Sequence, residues 1–299
     1  MVTAVGFEGL AVPTVLPATV AELGGLPLYG WAFSGFWLSS LVGITLSGVE
    51  ADRRGPRGPM VAGSLLFAAG LLIAGQASGM EWVVVGRVVQ GIGAGAIASI
   101  VYVVIARGYD AAAQPRMIAV ISSAWVVPGL VGPALAGYVA QESSWRWTFL
   151  ALVPLLPLAA AALAGPLARL GPLAPVPRNQ ARDFGPVRDA VVLALGAALL
   201  LWALTQGEAL LVLPAALVGG FLTIRPLRRL LPEGSMTARP GRGAAVAVLG
   251  LISVAFFGVE AFVPLAVVSI RSASTVVGGL ALTAAAVTWA AGSWLQARL

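Results

Sequence analysis

Ten long apolar runs occupy most of this chain and leave few architectures open to it. Each run has about 20 mostly apolar residues, the length that an α-helix needs to cross the hydrocarbon core of a bilayer. Only 10% of the 299 residues are charged and 59% are hydrophobic, so the chain has too little polar surface to cover a water-soluble globule. The sequence therefore predicts an all-α integral membrane protein with about ten transmembrane helices. The runs are Val2–Leu23, Trp31–Val49, Pro59–Ser78, Trp82–Ala106, Met117–Ala140, Trp147–Leu167, Ala190–Gln206, Ala209–Ile224, Ala244–Val268 and Gly278–Ala297.

The basic residues are all arginines, and nearly all of them lie between the apolar runs. If the N-terminus is cytoplasmic, 15 of the 18 arginines fall in cytoplasmic segments, including the loops Arg169–Asp189 and Arg225–Gly243. Only Arg146 and Arg271 then lie outside, and Arg87 lies within a run. This asymmetry is typical of the positive-inside rule. We therefore expect a multi-pass protein of the inner (plasma) membrane with a cytoplasmic N-terminus, and no nucleic-acid binding despite the net charge of +6.

The chain lacks both cysteine and histidine. Their absence excludes disulfides, thiolate and imidazole metal sites, and catalysis by Ser-His-Asp or Cys-His groups. A membrane-embedded enzyme would need another nucleophile or general-base cluster, and the sequence offers none. We therefore expect a protein that is not an enzyme and that uses neither a metal nor a cofactor.

Three charged residues lie away from the ends of the apolar runs and are the candidates for a proton or substrate site: Glu8, Arg87 and Glu260. A charge within the bilayer is costly unless it is paired or hydrated, so each is a functional candidate. Gln90 lies one helical turn from Arg87 and joins the list. The structural alternatives are a helix-end carboxylate near water for Glu8, snorkelling for Arg87 and a packing role for Glu260. A direct Glu8–Arg87 pair is left open.

Two further stretches combine glycine with proline or charge. The loop after the second run contains Gly48, Asp52, Arg53, Gly55 and Arg57, and its alternative interpretation is an ordinary basic turn. The fifth run carries a proline that bends the helix, together with glycines that let another helix approach. Its alternative interpretation is a kinked, tightly packed helix. The residues of this second stretch are Gly129, Gly132, Pro133 and Gly137.

Together these stretches resemble the major facilitator superfamily. The loop is similar to the family signature G-x-L-a-D-R-x-G-R/K-R/K, with departures at Glu50 and Pro56. Arg87-Val88-Val89-Gln90-Gly91-Ile92-Gly93-Ala94 is similar to R-x-x-Q-G-x-G-A without departure. The fifth run is similar to the exporter signature G-x-x-x-G-P-x-x-G-G, with Pro128 and Ala136 in place of two glycines.

Two more stretches resemble the drug–proton antiporters of that superfamily. The segment from Phe7 to Pro17 is similar to L-D-x-T-I-V-N-V-A-L-P, with Glu8 on the aspartate and Pro13 in place of the asparagine. Trp145-Arg146-Trp147-Thr148-Phe149 is similar to W-R-W-x-F. The resemblance is clearest over residues 1–167.

This resemblance implies a domain order and a mode of action. Residues 1–167 would form an N-terminal six-helix bundle, 168–243 a cytoplasmic linker with two extra transmembrane helices, and 244–299 the first two helices of a C-terminally truncated second bundle. It implies a secondary transporter, monomeric in the lipid bilayer, that exports a small drug-like or lipophilic molecule in exchange for protons by alternating access. Glu8, Arg87, Gln90 and Glu260 would bind proton or substrate, and the loop after the second helix would control conformational switching. The alternatives are a proton-coupled importer of a small polar solute and an inactive truncated fragment.

Overall fold

The computed structural model describes residues 1–172, 184–205 and 209–296, and within them the chain is built from α-helices joined by short connections. These residues contain no β-strand, in agreement with the predicted all-α class. Short 3-10 turns lie at Leu26–Leu28 and Ser235–Thr237. The helices are α1 (Val2–Leu23), α2 (Tyr29–Arg54), α3 (Arg57–Gly75), α4 (Met80–Gly108), α5 (Gln114–Glu142), α6 (Arg146–Leu150), α7 (Leu155–Ala168), α8 (Gly185–Thr205), α9 (Ala209–Leu230), α10 (Arg242–Ser269) and α11 (Thr275–Gln296).

The predicted apolar runs coincide with these helices. In the described residues, nine spans are long and apolar enough to cross a bilayer, with α6 and α7 forming one span over Arg146–Ala168. The tenth predicted run is α11, whose apolar part Thr275–Thr288 is shorter within the described residues. Gln206 and Ala297, the predicted ends of two runs, lie outside the described part. The chain is thus a multi-pass helical membrane protein.

Two predicted loops are shorter than the sequence indicated. The Arg169–Asp189 loop loses its end to α8, which begins at Gly185, and its residues 173–183 lie outside the described part. Both predicted ends of the Arg225–Gly243 loop were wrong, because α9 continues to Leu230 and α10 begins at Arg242. Arginine forms helices well, and its charge is favourable near a helix C-terminus, so the arginines of this segment extend α9 instead of ending it.

Helix α4 packs closely between α2 and α3. A Cβ added at Gly91 would lie 2.2 Å from the carbonyl oxygen of Phe36, and one at Gly95 would lie 2.1 Å from that of Ser40. Gly93 meets the backbone of α3 at similarly short range. Small residues at these positions let the helix backbones touch, which is how many membrane helices associate. The glycines of α4 therefore set its distance from both neighbours.

Helices α10 and α11 pack against the first spans through α1 and α5. Helices α8 and α9 form a hairpin whose crossing is tightened by Gly196 and Gly219, and α8 packs on α2. These contacts are compatible with the predicted division at residues 167 and 243, which stays a prediction.

The connections between spans lie at two ends of the molecule, because successive spans run in alternating directions. We call the end with the α2–α3, α4–α5 and α9–α10 connections the arginine-rich end, and the other the opposite end. Arg53, Arg107 and Arg228 belong to the first, whereas Arg146 and Arg271 belong to the second. Which end faces the cytoplasm stays a prediction.

Candidate functional site

A buried ion pair joins α1 to α4. Glu8 has no exposed surface and Arg87 is only 1% exposed. The Arg87 Nη1 donates to Glu8 Oε1 across helices that lie 79 residues apart in sequence. Burying two charges is expensive unless they compensate each other, and here they do. The pair that the sequence left open is therefore present, and Arg87 neither snorkels to an interface nor stands alone.

Arg87 also has neutral partners on α2 and α4. Its Nε donates to the carbonyl oxygen of Ala32 at 3.0 Å, and its Nη1 donates to Gln90 Oε1 at 2.7 Å. The Phe36 ring lies under the guanidinium, with the Cζ of Arg87 4.2 Å from the ring centroid. An aromatic face attracts a cation most strongly when both are out of water. We call Glu8, Arg87, Gln90, Ala32 and Phe36 the charged centre.

Two polar atoms of the charged centre have no hydrogen-bond partner among the described residues. They are Glu8 Oε2 and Gln90 Nε2. Buried polar atoms are nearly always satisfied, so each exception asks for an explanation. One atom is an acceptor when Glu8 is ionised and the other is a donor, so the centre can bind a further polar group or a proton without breaking its existing bonds.

The sequence identified three members of this centre and missed two. Glu8, Arg87 and Gln90 are polar residues within apolar runs, which is a strong signal. Ala32 contributes a backbone carbonyl and Phe36 is one aromatic residue among many in the spans, so neither carries a signal in the sequence. The close packing of α2 on α4, at Gly91 and Gly95 among other positions, brings them to Arg87.

Glu260 lies apart from the charged centre. It is 5% exposed on α10 and lines a groove of about 470 Å³ with Phe256, Val263 and Leu282. Within the described part of the chain it forms no hydrogen bond or ion pair. On the neighbouring residue, the Ala261 carbonyl accepts a 2.8 Å hydrogen bond from the Tyr29 hydroxyl of α2. The groove is therefore apolar apart from one carboxyl group, and the predicted packing partner for Glu260 is not observed there.

The predicted switch loop lies at the arginine-rich end. Asp52 accepts from Arg107 Nη2 of α4 at 2.5 Å, so it pairs within the first six spans. Arg53 lies 5.1 Å from the ring centroid of Phe184, which precedes α8. Gly55 has a φ of 90°, and a Cβ there would lie 2.9 Å from the backbone of Gly171. The tight turn expected at Gly55 is present, and it brings the loop against residues on both sides of the 173–183 segment.

The two remaining loop residues lie at its margins. Gly48 faces α4, where an added Cβ would be 3.5 Å from Ser99 Oγ. Arg57 begins α3 and is exposed. Neither contacts the charged centre.

The antiporter-like stretch of α5 packs against α1 and α11. Gly132 faces Phe7, whose Cδ2 would lie 3.3 Å from an added Cβ. Gly137 meets the backbone of Thr275, whose hydroxyl donates to the Gly137 carbonyl at 3.1 Å. At Pro133 the backbone carbonyl approaches Gly279 of α11, and Gly129 lies near Ala286 of the same helix. These residues therefore build a helix–helix interface and do not line the charged centre.

A second ionic cluster at the opposite end was missed by the sequence. Glu22 accepts from Trp145 Nε1 at 2.9 Å and from Arg146 Nη1 at 2.5 Å. Arg146 Nη2 also donates to the Ala77 carbonyl at 3.0 Å. The cluster ties α1 to α6 and to the α3–α4 connection. An isolated arginine at this end indicates an acidic partner. The sequence alone does not show which of the glutamates at this end, Glu22 among them, forms the pair.

Charged side chains buried within membrane-spanning helices are rare and mark a functional site. The Major Facilitator Superfamily profile matches residues 1–299, and the chain belongs to this superfamily. It is thus a member of a transporter family and not of an enzyme family, as predicted.

Relatives in this family carry efflux names. A Mycobacterium tuberculosis protein named "Probable multidrug-efflux transporter" is 29% identical over 295 residues, which are 96% of this chain and 62% of the relative. A Bacillus subtilis multidrug transporter protein is 27% identical over 147 residues, 49% of this chain and 27% of that protein. The chain spans less than two thirds of the length of these curated relatives. Among solved structures, the inward-open xylose transporter of E. coli is 14% identical with a TM-score of 0.48, covering 96% of this chain and 93% of that one.

Proposed function

We propose that this protein is a secondary transporter that exports small drug-like or lipophilic molecules in exchange for protons. The observation that carries the proposal is the buried Glu8–Arg87 pair together with Glu8 Oε2 and Gln90 Nε2, which have no hydrogen-bond partner among the described residues. A carboxyl group in such a place can bind and release a proton while it stays buried. The efflux names of the relatives support the direction of transport.

Coupling would arise because proton binding to Glu8 and substrate binding favour different conformations of the protein. When Glu8 is ionised, Arg87 holds α1 against α4. When Glu8 is protonated, that attraction is lost, and the helices that pack on α1 are freed to move. A transporter that alternates between two states needs such a differential interaction, since a ligand shifts an equilibrium only by its difference in affinity for the two states. Transport of a proton in one direction is then linked to movement of the substrate in the other.

Glu260 supports a substrate role in the same proposal. It supplies the only ionisable group of an otherwise apolar groove within the described residues. Lipophilic molecules that carry a positive charge or a hydrogen-bond donor fit that combination. The neighbouring Tyr29–Ala261 hydrogen bond links this groove to α2 and so to the helix that contacts Arg87.

The test uses the full-length protein in proteoliposomes with an acidic lumen. Ethidium, a fluorescent lipophilic cation, is added outside, and xylose serves as the polar alternative. We expect ethidium to accumulate when the pH gradient is present and to stop accumulating when nigericin removes it. Accumulation of xylose but not ethidium, when the gradient is reversed so that the outside medium is acidic, would support the importer alternative. Transport of neither compound under any of these gradients would contradict the proposal.

Orientation has its own test. We propose that the N-terminus and the arginine-rich end face the cytoplasm of a cell whose plasma membrane holds the protein as a monomer. The chain has no cysteine, so single cysteines at Arg228 and Arg271 report on the two ends without background. In intact cells an impermeant maleimide should label Arg271→Cys and leave Arg228→Cys unlabelled until the membrane is opened. The reverse pattern would overturn the orientation.

A further inference from the structure

Arg87 poses a problem for any mechanism in which Glu8 takes up a proton. The guanidinium stays positively charged at all accessible pH values. If Glu8 becomes neutral, a buried cation loses its only charged partner among the described residues. A buried charge without compensation is strongly destabilising, so the centre must contain something that accepts Arg87 in that state.

The neutral partners of Arg87 meet this requirement. The Ala32 carbonyl and Gln90 Oε1 accept hydrogen bonds from it, and the Phe36 ring lies against its face. None of these contacts depends on the protonation of Glu8. Moreover, Gln90 Oε1 and Glu8 Oε1 share the same donor atom, Nη1, so the amide is already in position when the carboxylate leaves.

The partners of Arg87 also divide by helix. The charged partner, Glu8, comes from α1, whereas the neutral partners come from α2 and α4. Helices α2 and α4 are held together independently by the close glycine contacts at Gly91 and Gly95. Losing the charge of Glu8 therefore weakens the attachment of α1 alone. Helix α1 in turn packs on α5, α10 and α11. A looser attachment of α1 would therefore change its packing against α10 and α11.

We propose that Phe36 and Gln90 are positioning residues that hold Arg87 while Glu8 is protonated, so that proton binding loosens α1 but leaves α2 and α4 together. This inference rests on the proposed proton coupling through Glu8. It adds two residues whose task is to make the protonated state accessible.

Other titratable groups around Glu8 do not take this role. Among the described residues, the helices that pack on α1 carry their remaining charges near the two ends, apart from Glu260 on α10. Tyr29 is committed to the Ala261 carbonyl, and Tyr102 and Tyr138 are more than half exposed. These end groups are the Met1 amine, Glu22, Glu50, Asp52, Arg53, Arg54, Glu81, Arg107, Arg116, Glu142, Arg146 and Arg242.

The experiment measures distances between spin-labelled cysteines in nanodiscs as pH is varied, in the full-length protein. One pair, Thr3→Cys with Ala106→Cys, reports on α1 and α4, and the other, Leu46→Cys with Ala106→Cys, reports on α2 and α4. All three positions are exposed. In the wild-type background we expect the first distance to change with pH around one midpoint and the second to stay constant. A pH-dependent α2–α4 distance would overturn the proposal.

Variants then test the two positioning residues. Removing them destabilises the protonated state more than the ionised one, because only the former needs them. Phe36→Leu combined with Gln90→Leu should therefore move the midpoint to lower pH by about one unit, a tenfold change in proton concentration. Phe36→Leu alone should give a smaller shift in the same direction, and Phe36→Tyr, which keeps the ring, should restore the midpoint. Phe67→Leu, at an equally buried phenylalanine of α3, should leave it unchanged.

The outcomes separate this inference from the proposed function. If Glu8→Gln and the wild type give the same pH response, coupling through Glu8 fails. If Glu8→Gln abolishes the response while Phe36→Leu and the double variant keep the wild-type midpoint, the coupling stands and the role of Phe36 and Gln90 fails. An equal shift with Phe67→Leu would assign the effect to lost packing and would also overturn the inference.

Discussion

The two glutamates that are buried within the described part of the chain have opposite surroundings. Glu8 is paired with a permanent cation that is itself held by a carbonyl, an amide and an aromatic ring. Glu260 is nearly as well buried but lines an apolar groove and has no charged partner among the described residues. A carboxylate at Glu8 is compensated within the protein, whereas one at Glu260 has to rely on water or on a bound ligand. The same residue type can therefore serve as the coupling element in one place and as a recognition element in the other.

The largest expected effect comes from removing the cation. Arg87→Met leaves Glu8 buried without a partner, which should lower the free energy of unfolding by about 3–5 kcal/mol. Glu260→Gln should change it by less than about 1 kcal/mol, because no pair is broken. Equilibrium unfolding in detergent micelles measures both.

The double variant Glu8→Gln/Arg87→Met is the matched control for this difference. With both charges gone, most of the lost stability should return. If Arg87→Met lowers the free energy of unfolding no more than Glu260→Gln does, the Glu8–Arg87 pair does not stabilise the protein. That result would contradict the contrast between the two acids.

A smaller effect is expected from disturbing the helix contact that assembles the charged centre. A Cβ at Gly91 would lie 2.2 Å from the Phe36 carbonyl oxygen, so Gly91→Ala must push α2 away from α4. Such overpacking costs about 1–3 kcal/mol. Gly258→Ala on α10 is the control, since nothing lies within 4 Å of that Cβ. Equal stability of the two variants in the same unfolding assay would contradict the packing described here.

The sequence predicted the membrane spans and some residues of the charged centre, but not how those residues pair. Apolar runs predicted the spans found in the described residues, and polar residues inside those runs predicted Glu8, Arg87, Gln90 and Glu260 as candidates. The pairing of Glu8 with Arg87 was beyond reach, because it depends on how two distant helices pack. Ala32 and Phe36 were missed for the same reason.

Helix ends were also beyond the reach of a hydropathy argument. Helix α9 continues through Arg225, Arg228 and Arg229, which a count of apolar residues assigned to a loop. The physical reason is that helix formation depends on backbone propensity and end charges, whereas bilayer burial depends on hydropathy. The two criteria agree in the middle of a span and diverge at its ends.

The smallest effect on stability is expected at the switch loop. Asp52 is about half exposed in its ion pair with Arg107, and exposed pairs contribute about 0–1 kcal/mol. We predict that Asp52→Asn lowers the turnover rate of ethidium transport several-fold while its KM stays nearly constant, because the loop lies at the membrane edge, away from both glutamates. A large rise in KM with normal turnover would contradict a switching role and would assign the loop to substrate binding instead.

The central claim is that Glu8 couples protons to substrate movement, and uphill transport by its neutral variant tests it most directly. Glu8→Gln, Glu260→Gln and the double variant are reconstituted in full-length protein, with Glu142→Gln as an exposed control. Ethidium movement is followed with and without an acidic lumen. We predict that Glu8→Gln and the double variant lose accumulation driven by the pH gradient but still equilibrate ethidium downhill, whereas Glu142→Gln behaves as the wild type. If Glu8→Gln still concentrates ethidium in response to the gradient, Glu8 does not couple the proton and the account is wrong; if the double variant does so as well, neither glutamate couples it.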